Sequence, residues 1–403
     1  MDAAGNPYSP GAGTRPPLLA GRDDLVTTAT LALTRAKAGR HAKSFVAVGL
    51  RGVGKTVMLN KIRELAEAQD YHTVSMEAHD DASLANLLVP RLRTVLIKLS
   101  RIAEAAEVGR RGLAVLKNFA NGLKIQMGEV EVGLDFKDAA GTADSGDLSN
   151  DLPELFVILG GVAKSKKTAI VIIIDEIQYL SGEELGALIM SMHQISQHEL
   201  PIVLIAAGLP QVLGKMGQSK SYAERLFHFP RVEALGHEDA LRAIAEPARA
   251  LGVIFSDEAL EEIYQVTAGY PYFLQEWGAV TWDLAESSPI SKDVVLSARE
   301  EAINRLDESF FRVRLERMNP TERRYMRAMA ELGAGPHTSG EIAKMYGAKV
   351  TTVAPVRSSL ISKGMIYSPS YGNTDFTVPL FDQFMRREMP VFQKSKNIVI
   401  DAE

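Results

Sequence analysis

The stretch Gly49-Leu50-Arg51-Gly52-Val53-Gly54-Lys55-Thr56 decides the fold. It satisfies the spacing G-x-x-x-x-G-K-[ST] at every specified position. Its glycines let a loop close tightly, so that successive backbone N–H groups converge on phosphate oxygens. The apolar run Phe45–Val48 precedes the loop and a helical run, Val57–Ala68, follows it. The positive end of that helix then faces the same point. Gly49, Gly52, Val53, Gly54 and Val57 are expected to surround the phosphates of a bound ATP. Lys55 can reach the β- and γ-phosphates, and the Thr56 hydroxyl can ligate Mg²⁺. Arg51 occupies a variable position and is read as facing solvent or an interface.

Outward from the loop, the next decisive stretch is Ile170-Val171-Ile172-Ile173-Ile174, followed by Asp175-Glu176. A buried strand that ends in two carboxylates exposes them at the sheet's carboxyl edge, where α/β sheets bind ligands. Asp175 is the candidate second metal ligand beside Thr56. Glu176 is the candidate general base for an attacking water, with Lys55 as its charge-stabilising partner. ATP and Mg²⁺ are the expected cofactors.

Further strands are expected at Ser44–Gly49, His72–Glu77, Ala169–Ile174, Ile202–Ala207 and Leu226–Pro230. Short, unbroken apolar runs of this kind are the pattern of buried parallel strands. Helical stretches between them imply α/β crossovers over residues 18–234. The stretch 78–153 is longer than a crossover needs. It is basic from Arg91 to Lys117 and acidic from Gly128 to Asp151. The run Ile125–Leu134 partly alternates and reads as one arm of a hairpin. An insert with solvated charged faces and a partner surface both fit.

After Pro230 the strands stop. Residues 235–300 read as a helical lid and 301–317 as a connector helix. Residues 318–390 hold three helices, Thr321–Leu332, Ser339–Tyr346 and Thr351–Lys363, then two short extended pieces. Residues 1–17 read as a flexible Gly/Pro/Ala tail, and 391–403 as a second tail.

The chain has 403 residues with 45 Lys plus Arg, 50 Asp plus Glu and no cysteine, a formal net charge of -5. Without cysteine there are no disulfides, no thiolate catalysis and no Cys-ligated zinc. An acidic sum argues against a protein that coats nucleic acid along its whole surface. His193 and His198 are five apart, which does not put both on one helical face, so they are not read as a metal site. No apolar run approaches the roughly 20 residues of a membrane span, and the N-terminus lacks a signal-peptide pattern. A cytoplasmic location is expected.

The paired phosphate-loop and Asp-Glu motifs resemble those of the additional-strand ATPases. Leu19-Ala20-Gly21-Arg22-Asp23-Asp24-Leu25 is similar to the entry motif of AAA+ and STAND proteins, which implies that Gly21 and Arg22 lie beside the adenine. Asp175-Glu176-Ile177-Gln178 is similar to a segment of archaeal and bacterial ATPases related to the origin-recognition and helicase-loader group. The resemblance spans Leu18 to Arg387. It implies a parallel sheet in the order 5-1-4-3-2, a helical lid and a C-terminal winged helix.

Departures from that pattern carry information. The expected fourth strand ends Ala206-Ala207-Gly208-Leu209, with no polar side chain to orient a water. The lid segment Gly269-Tyr270-Pro271 has no arginine. Its Gly-x-Pro resembles the STAND lid, which implies that Pro271 packs near the nucleotide; a plain helix-start turn fits equally. Arg225 resembles a trans-acting arginine finger, and a surface arginine paired with Glu224 or a nearby acid fits as well.

One missing charge-stabilising group costs roughly 10²–10³-fold in turnover. The expected function is therefore a slow ATPase acting as a nucleotide-controlled switch on the winged helix. The alternative is a replication-initiator or helicase-loader-like ATPase. Lys349, Arg357 and Lys363 would then meet phosphates of double-stranded DNA. The remaining expected partners are a protein of unstated kind and further copies in a nucleotide-dependent oligomer.

Overall fold

A computed structural model of the chain describes residues 1–11, 13–100, 106–125 and 141–392. These form two units: one of Arg22–Gly49 and Lys55–Val232, the other of Met1–Gly21, Leu50–Gly54 and Glu233 onward.

The first unit is an α/β domain. In chain order it contains α1 (Asp23–Lys37), β1 (Ser44–Val48), α2 (Lys55–Ala68), β2 (His72–Glu77), α3 (Leu84–Ser100) and α4 (Ala106–Gly122). Then follow α5 (Leu148–Ser165), β3 (Ile170–Asp175), α6 (Gly182–Gln197), β4 (Ile202–Gly208), α7 (Gln211–Ser219), α8 (Ala223–Leu226) and β5 (Phe227–His228). The five strands are all parallel, in the order β2-β3-β4-β1-β5, or β5-β1-β4-β3-β2 from the other edge. Every residue of β1, β3 and β4 is buried, which is why these strands are continuously apolar. The edge strand β2 is only partly buried and carries Thr73, Ser75 and Glu77.

The fifth strand is shorter than the Leu226–Pro230 expected from sequence. Residues 223–226 coil into α8, Phe227 and His228 pair with β1 as a strand, and Arg231 adds an isolated bridge to Val48. In the insert, α3 packs on α4 and α4 on α5. Leu92, Leu96, Leu99, Leu116 and Phe119 join the core of the sheet domain. Truncating one such leucine to alanine costs about 2–5 kcal/mol, so this charged insert is a structural layer of the domain. Most of the expected hairpin arm at 125–134 lies outside the described residues.

The second unit contains α9 (His237–Ala250), α10 (Asp257–Thr267), α11 (Pro271–Leu284), α12 (Lys292–Arg305), α13 (Arg312–Glu316) and α14 (Pro320–Glu331). It continues with β6 (His337–Thr338), α15 (Ser339–Tyr346), α16 (Val350–Ser362), β7 (Ile366–Tyr367), β8 (Asn373–Phe376) and α17 (Phe381–Glu388). The three short strands pair antiparallel in the order β6-β8-β7. Leu306–Phe311 form a π-helical turn between α12 and α13. That turn lets the consecutive rings of Phe310 and Phe311 both be buried, and Phe311 stacks on Phe384 of α17 at 5.2 Å.

The amino-terminal segment is not the free tail expected from its composition. Tyr8 is buried, and its hydroxyl donates to the Ile244 carbonyl at 2.6 Å. Asn6 donates to Ala279 O and Asp283 Oδ1, and the Trp282 indole donates to Asp2 O. The segment is held along α9 and α11.

Two cations expected to meet DNA are occupied within the second unit. Arg357 donates to Thr374 Oγ1 at 2.7 Å, Ser368 Oγ at 3.1 Å and Asn373 O at 3.2 Å. Lys363 pairs with the buried Glu322 at 2.7 Å. Among the described residues no helix is long and apolar enough to cross a membrane.

Candidate nucleotide site

All strands of the sheet run parallel, so their carboxyl ends lie on one edge. Asp175 ends β3 and Gly208 ends β4, while Gly49 follows β1. The Gly49 N–H donates to the Gly208 carbonyl at 3.1 Å, which joins the start of the phosphate loop to the end of β4.

On that edge the structure brings together Lys55, Thr56, Asp175 and Glu176. The Thr56 hydroxyl donates to Asp175 Oδ2 at 2.5 Å. The Glu176 N–H donates to Asp175 Oδ1 at 2.8 Å. Lys55, the first residue of α2, is 5 % exposed, and its ammonium acts on Asp175. Burial raises the Asp175 carboxyl above the usual carboxylate range. The Thr56 hydroxyl opposes that shift, the adjacent Glu176 adds to it, and the Glu176 amide and Lys55 pull back.

These residues fit a divalent cation. A buried carboxylate under raising pressure gains most from a nearby positive charge, and a hydroxyl already lies against it. Mg²⁺ commonly takes one or two protein oxygens and fills its shell with water and phosphate. The expected metal ligands Thr56 and Asp175 are therefore adjacent.

Glu176 has a left-handed backbone, φ 51°, uncommon for a residue with a Cβ. Its side chain accepts from the Gln178 amide. Gln178 is 5 % exposed, and its Oε1 accepts from the Leu209 N–H at 3.0 Å. A Cβ at Gly208 would lie 2.8 Å from that same oxygen. The polar group at the end of β4 is thus supplied by Gln178 rather than by β4 itself. Sequence reasoning quoted Gln178 but gave it no role. The usable signal was a glycine at the strand end, opposite a glutamine two residues after the second acid.

Residues Leu50–Gly54 group with the second unit. Val53 is buried. Gly52 has φ +81°, and a Cβ there would lie 2.9 Å from Tyr270 and 3.4 Å from Tyr272. The Tyr272 N–H donates to the Gly52 carbonyl at 3.3 Å. Pro271, between the two tyrosines, opens α11. Within this unit the first turn of α11 therefore lies on the loop. The Phe310 ring stacks on Tyr272 at 4.4 Å, and the Arg314 guanidinium covers that ring at 3.8 Å. Burial, and then the neighbouring Arg51 cation, push Arg314 down to about 10. It stays protonated at neutral pH, a positive charge that the sequence hid inside an ordinary charged helix.

The other expected contacts are spread out. Arg22 is buried at the start of α1. Gly21 lies in the second unit, where a Cβ would meet Asp239 at 2.7 Å. Val57 is partly buried in α2. Arg225 sits exposed in α8, with no ion pair or side-chain hydrogen bond among the described residues, so it is not paired with Glu224.

A five-stranded parallel sheet in this order, with a hydroxyl–carboxylate pair at its carboxyl edge, is the arrangement of a P-loop fold. Residues 18–205 match the family model described as AAA ATPase domain. Residues 308–385 match a model described as a domain of unknown function, DUF8462. No curated protein matches the chain.

Among solved structures, the Walker-type ATPase PABY2304 of Pyrococcus abyssi is similar over 93 % of this chain and 98 % of its own. Its identity is 13 % and its TM-score 0.59, a likeness of fold. The Orc1 protein of Aeropyrum pernix in complex with DNA has 15 % identity and TM-score 0.45, over 93 % of this chain and 94 % of its own. The RuvB Holliday junction branch migration motor of Thermotoga maritima has 17 % identity and TM-score 0.42, over 89 % and 94 %. Both of these overlaps are too loose to carry a conclusion.

Proposed function

We propose that the protein is a Mg²⁺-dependent ATP-binding switch with slow ATPase activity. The observation that carries this reading is the 2.5 Å bond between Thr56 and Asp175, with Lys55 buried alongside. Thr56 and Asp175 would hold Mg²⁺, which neutralises charge on the β- and γ-phosphates when bound. Lys55 and the backbone of Gly49, Gly52, Val53, Gly54 and Val57 grip the phosphates. Gly21, Arg22 and Pro271 serve the rest of the nucleotide. Glu176 accepts a proton from water as its oxygen bonds to the γ-phosphorus. The bond to the bridging oxygen breaks, and its electron pair leaves with ADP.

Two features support slow turnover. The lid start Gly269-Tyr270-Pro271 carries no arginine, and Arg225 would act only on a neighbour's nucleotide in an oligomer. The helices α14–α16 with β6-β8-β7 support a winged-helix reading of residues 318–390. The internal engagement of Arg357 and Lys363 favours a protein-facing role for that module over loading onto double-stranded DNA.

Small-angle scattering with ADP and with a non-hydrolysable ATP analogue tests the switch. Distinct profiles in the two states are expected. Superimposable profiles, with both nucleotides bound, contradict it.

A further inference from the structure

The geometry points to Gln178 as a positioning residue that sets the orientation of the Glu176 carboxylate; the inference rests on the proposed role of Glu176 as base. Three constraints fix the amide. Its Oε1 faces the Leu209 N–H at 3.0 Å, and a backbone N–H can only donate. The amide therefore cannot flip, and its NH₂ must face Glu176, whose Oε2 accepts from it. Gly208 has no side chain, and the space a Cβ would need is taken by Gln178 Oε1 at 2.8 Å and by Ile177 Cγ2 at 3.0 Å.

The turn that carries Gln178 is itself held. Lys215 of α7 donates to the Gln178 carbonyl at 2.9 Å and to the Leu180 carbonyl at 2.6 Å. At 5 % exposure the amide is shielded from water, which would otherwise compete for the carboxylate. One carboxylate oxygen is thereby engaged, and the other is left to meet the attacking water. Gly208 also accepts from Gly49, so the strand end that orients Gln178 is the one that bonds the start of the phosphate loop. The base is registered to the loop through β4.

Gln178→Met keeps the length and removes both hydrogen-bonding atoms. Its effect is measured in the full chain as single-turnover kcat and KM for ATP, alone and combined with Glu176→Gln. The expected result is a fall in kcat of about 10²-fold with KM unchanged, the cost of misplacing a reacting group. In the Glu176→Gln background the same change adds no further fall, because Gln178 acts only through that carboxylate. Wild-type turnover in Gln178→Met overturns the assignment while the base reading stands. Equal falls in both backgrounds also overturn it. Wild-type turnover in Glu176→Gln instead removes the base, and this inference with it. If Gln178→Met fails to fold, Gly208→Ala displaces the amide by its Cβ and must show the same kcat loss at unchanged KM.

Discussion

Thr56 and Asp175, 119 positions apart in the chain, share a 2.5 Å hydrogen bond at the carboxyl edge of the sheet. The first residues of α2 and the last residue of β3 are thereby joined before any nucleotide is considered. Thr56→Ala removes the hydroxyl and leaves Asp175 buried without it. The expected outcome is a loss of about 1.5–3 kcal/mol in Mg²⁺-ATP affinity, the range for a hydrogen bond to a charged group. Affinity for ATP in the presence of EDTA should change far less. Titration calorimetry with and without Mg²⁺ reads both.

Removal of the amino-terminal segment should destabilise the second unit. Tyr8→Phe deletes one buried hydrogen bond to Ile244 and is expected to cost about 1 kcal/mol. Tyr8→Ala also empties the space against Phe255, Trp282 and Gly278, and is expected to cost about 3–5 kcal/mol. Chemical denaturation monitored by tryptophan fluorescence checks the ranking. Equal stability of the two variants and the parent would show the segment to be loose.

Glu322 accepts from Asn319, Ser359 and Lys363 while 1 % exposed. Burial alone would raise its carboxyl. The Lys363 and Ser359 side chains and the Asn319 amide outweigh that and hold it below the usual carboxylate value. A folded-state value below the unfolded one means that stability is full above the unfolded pKa. It is lost as the pH falls through the depressed one. Glu322→Gln should cost about 2 kcal/mol at pH 7 and flatten the acid limb of the stability curve. Denaturant midpoints between pH 7 and pH 3 measure it.

Arg357→Ala should act on folding rather than on nucleic acid. Its three hydrogen bonds tie α16 to the β7–β8 ribbon. The expected loss is about 1–3 kcal/mol of stability. Any DNA binding of the module should keep its salt slope in this variant and lose slope in Lys349→Ala, because each phosphate contact contributes to that slope.

Much of this arrangement could be read from residues, for physical reasons. The strands β1, β3 and β4 are buried on both faces, so they appear as unbroken apolar runs. The nearness of Thr56 to Asp175 follows from a loop after one parallel strand and an acid at the end of another. By contrast, β6 is two residues long, too short to show any period. The anchoring of residues 1–11 rests on Tyr8 and Asn6 in a glycine- and proline-rich stretch, where composition signals a tail. Arg314 reaches the phosphate loop's surroundings through a π-helical turn, and α-helical periodicity cannot anticipate that change of face.

The loop should bind Mg²⁺-ATP, and the site should hydrolyse it slowly. Single-turnover hydrolysis of ATP, with the protein in excess and no partner added, tests this most directly. The expected result is one slow phase well below one turnover per second, absent in Lys55→Ala and blocked in Glu176→Gln with ATP still bound. Turnover of several ATP per second, or hydrolysis that survives Lys55→Ala, would contradict it.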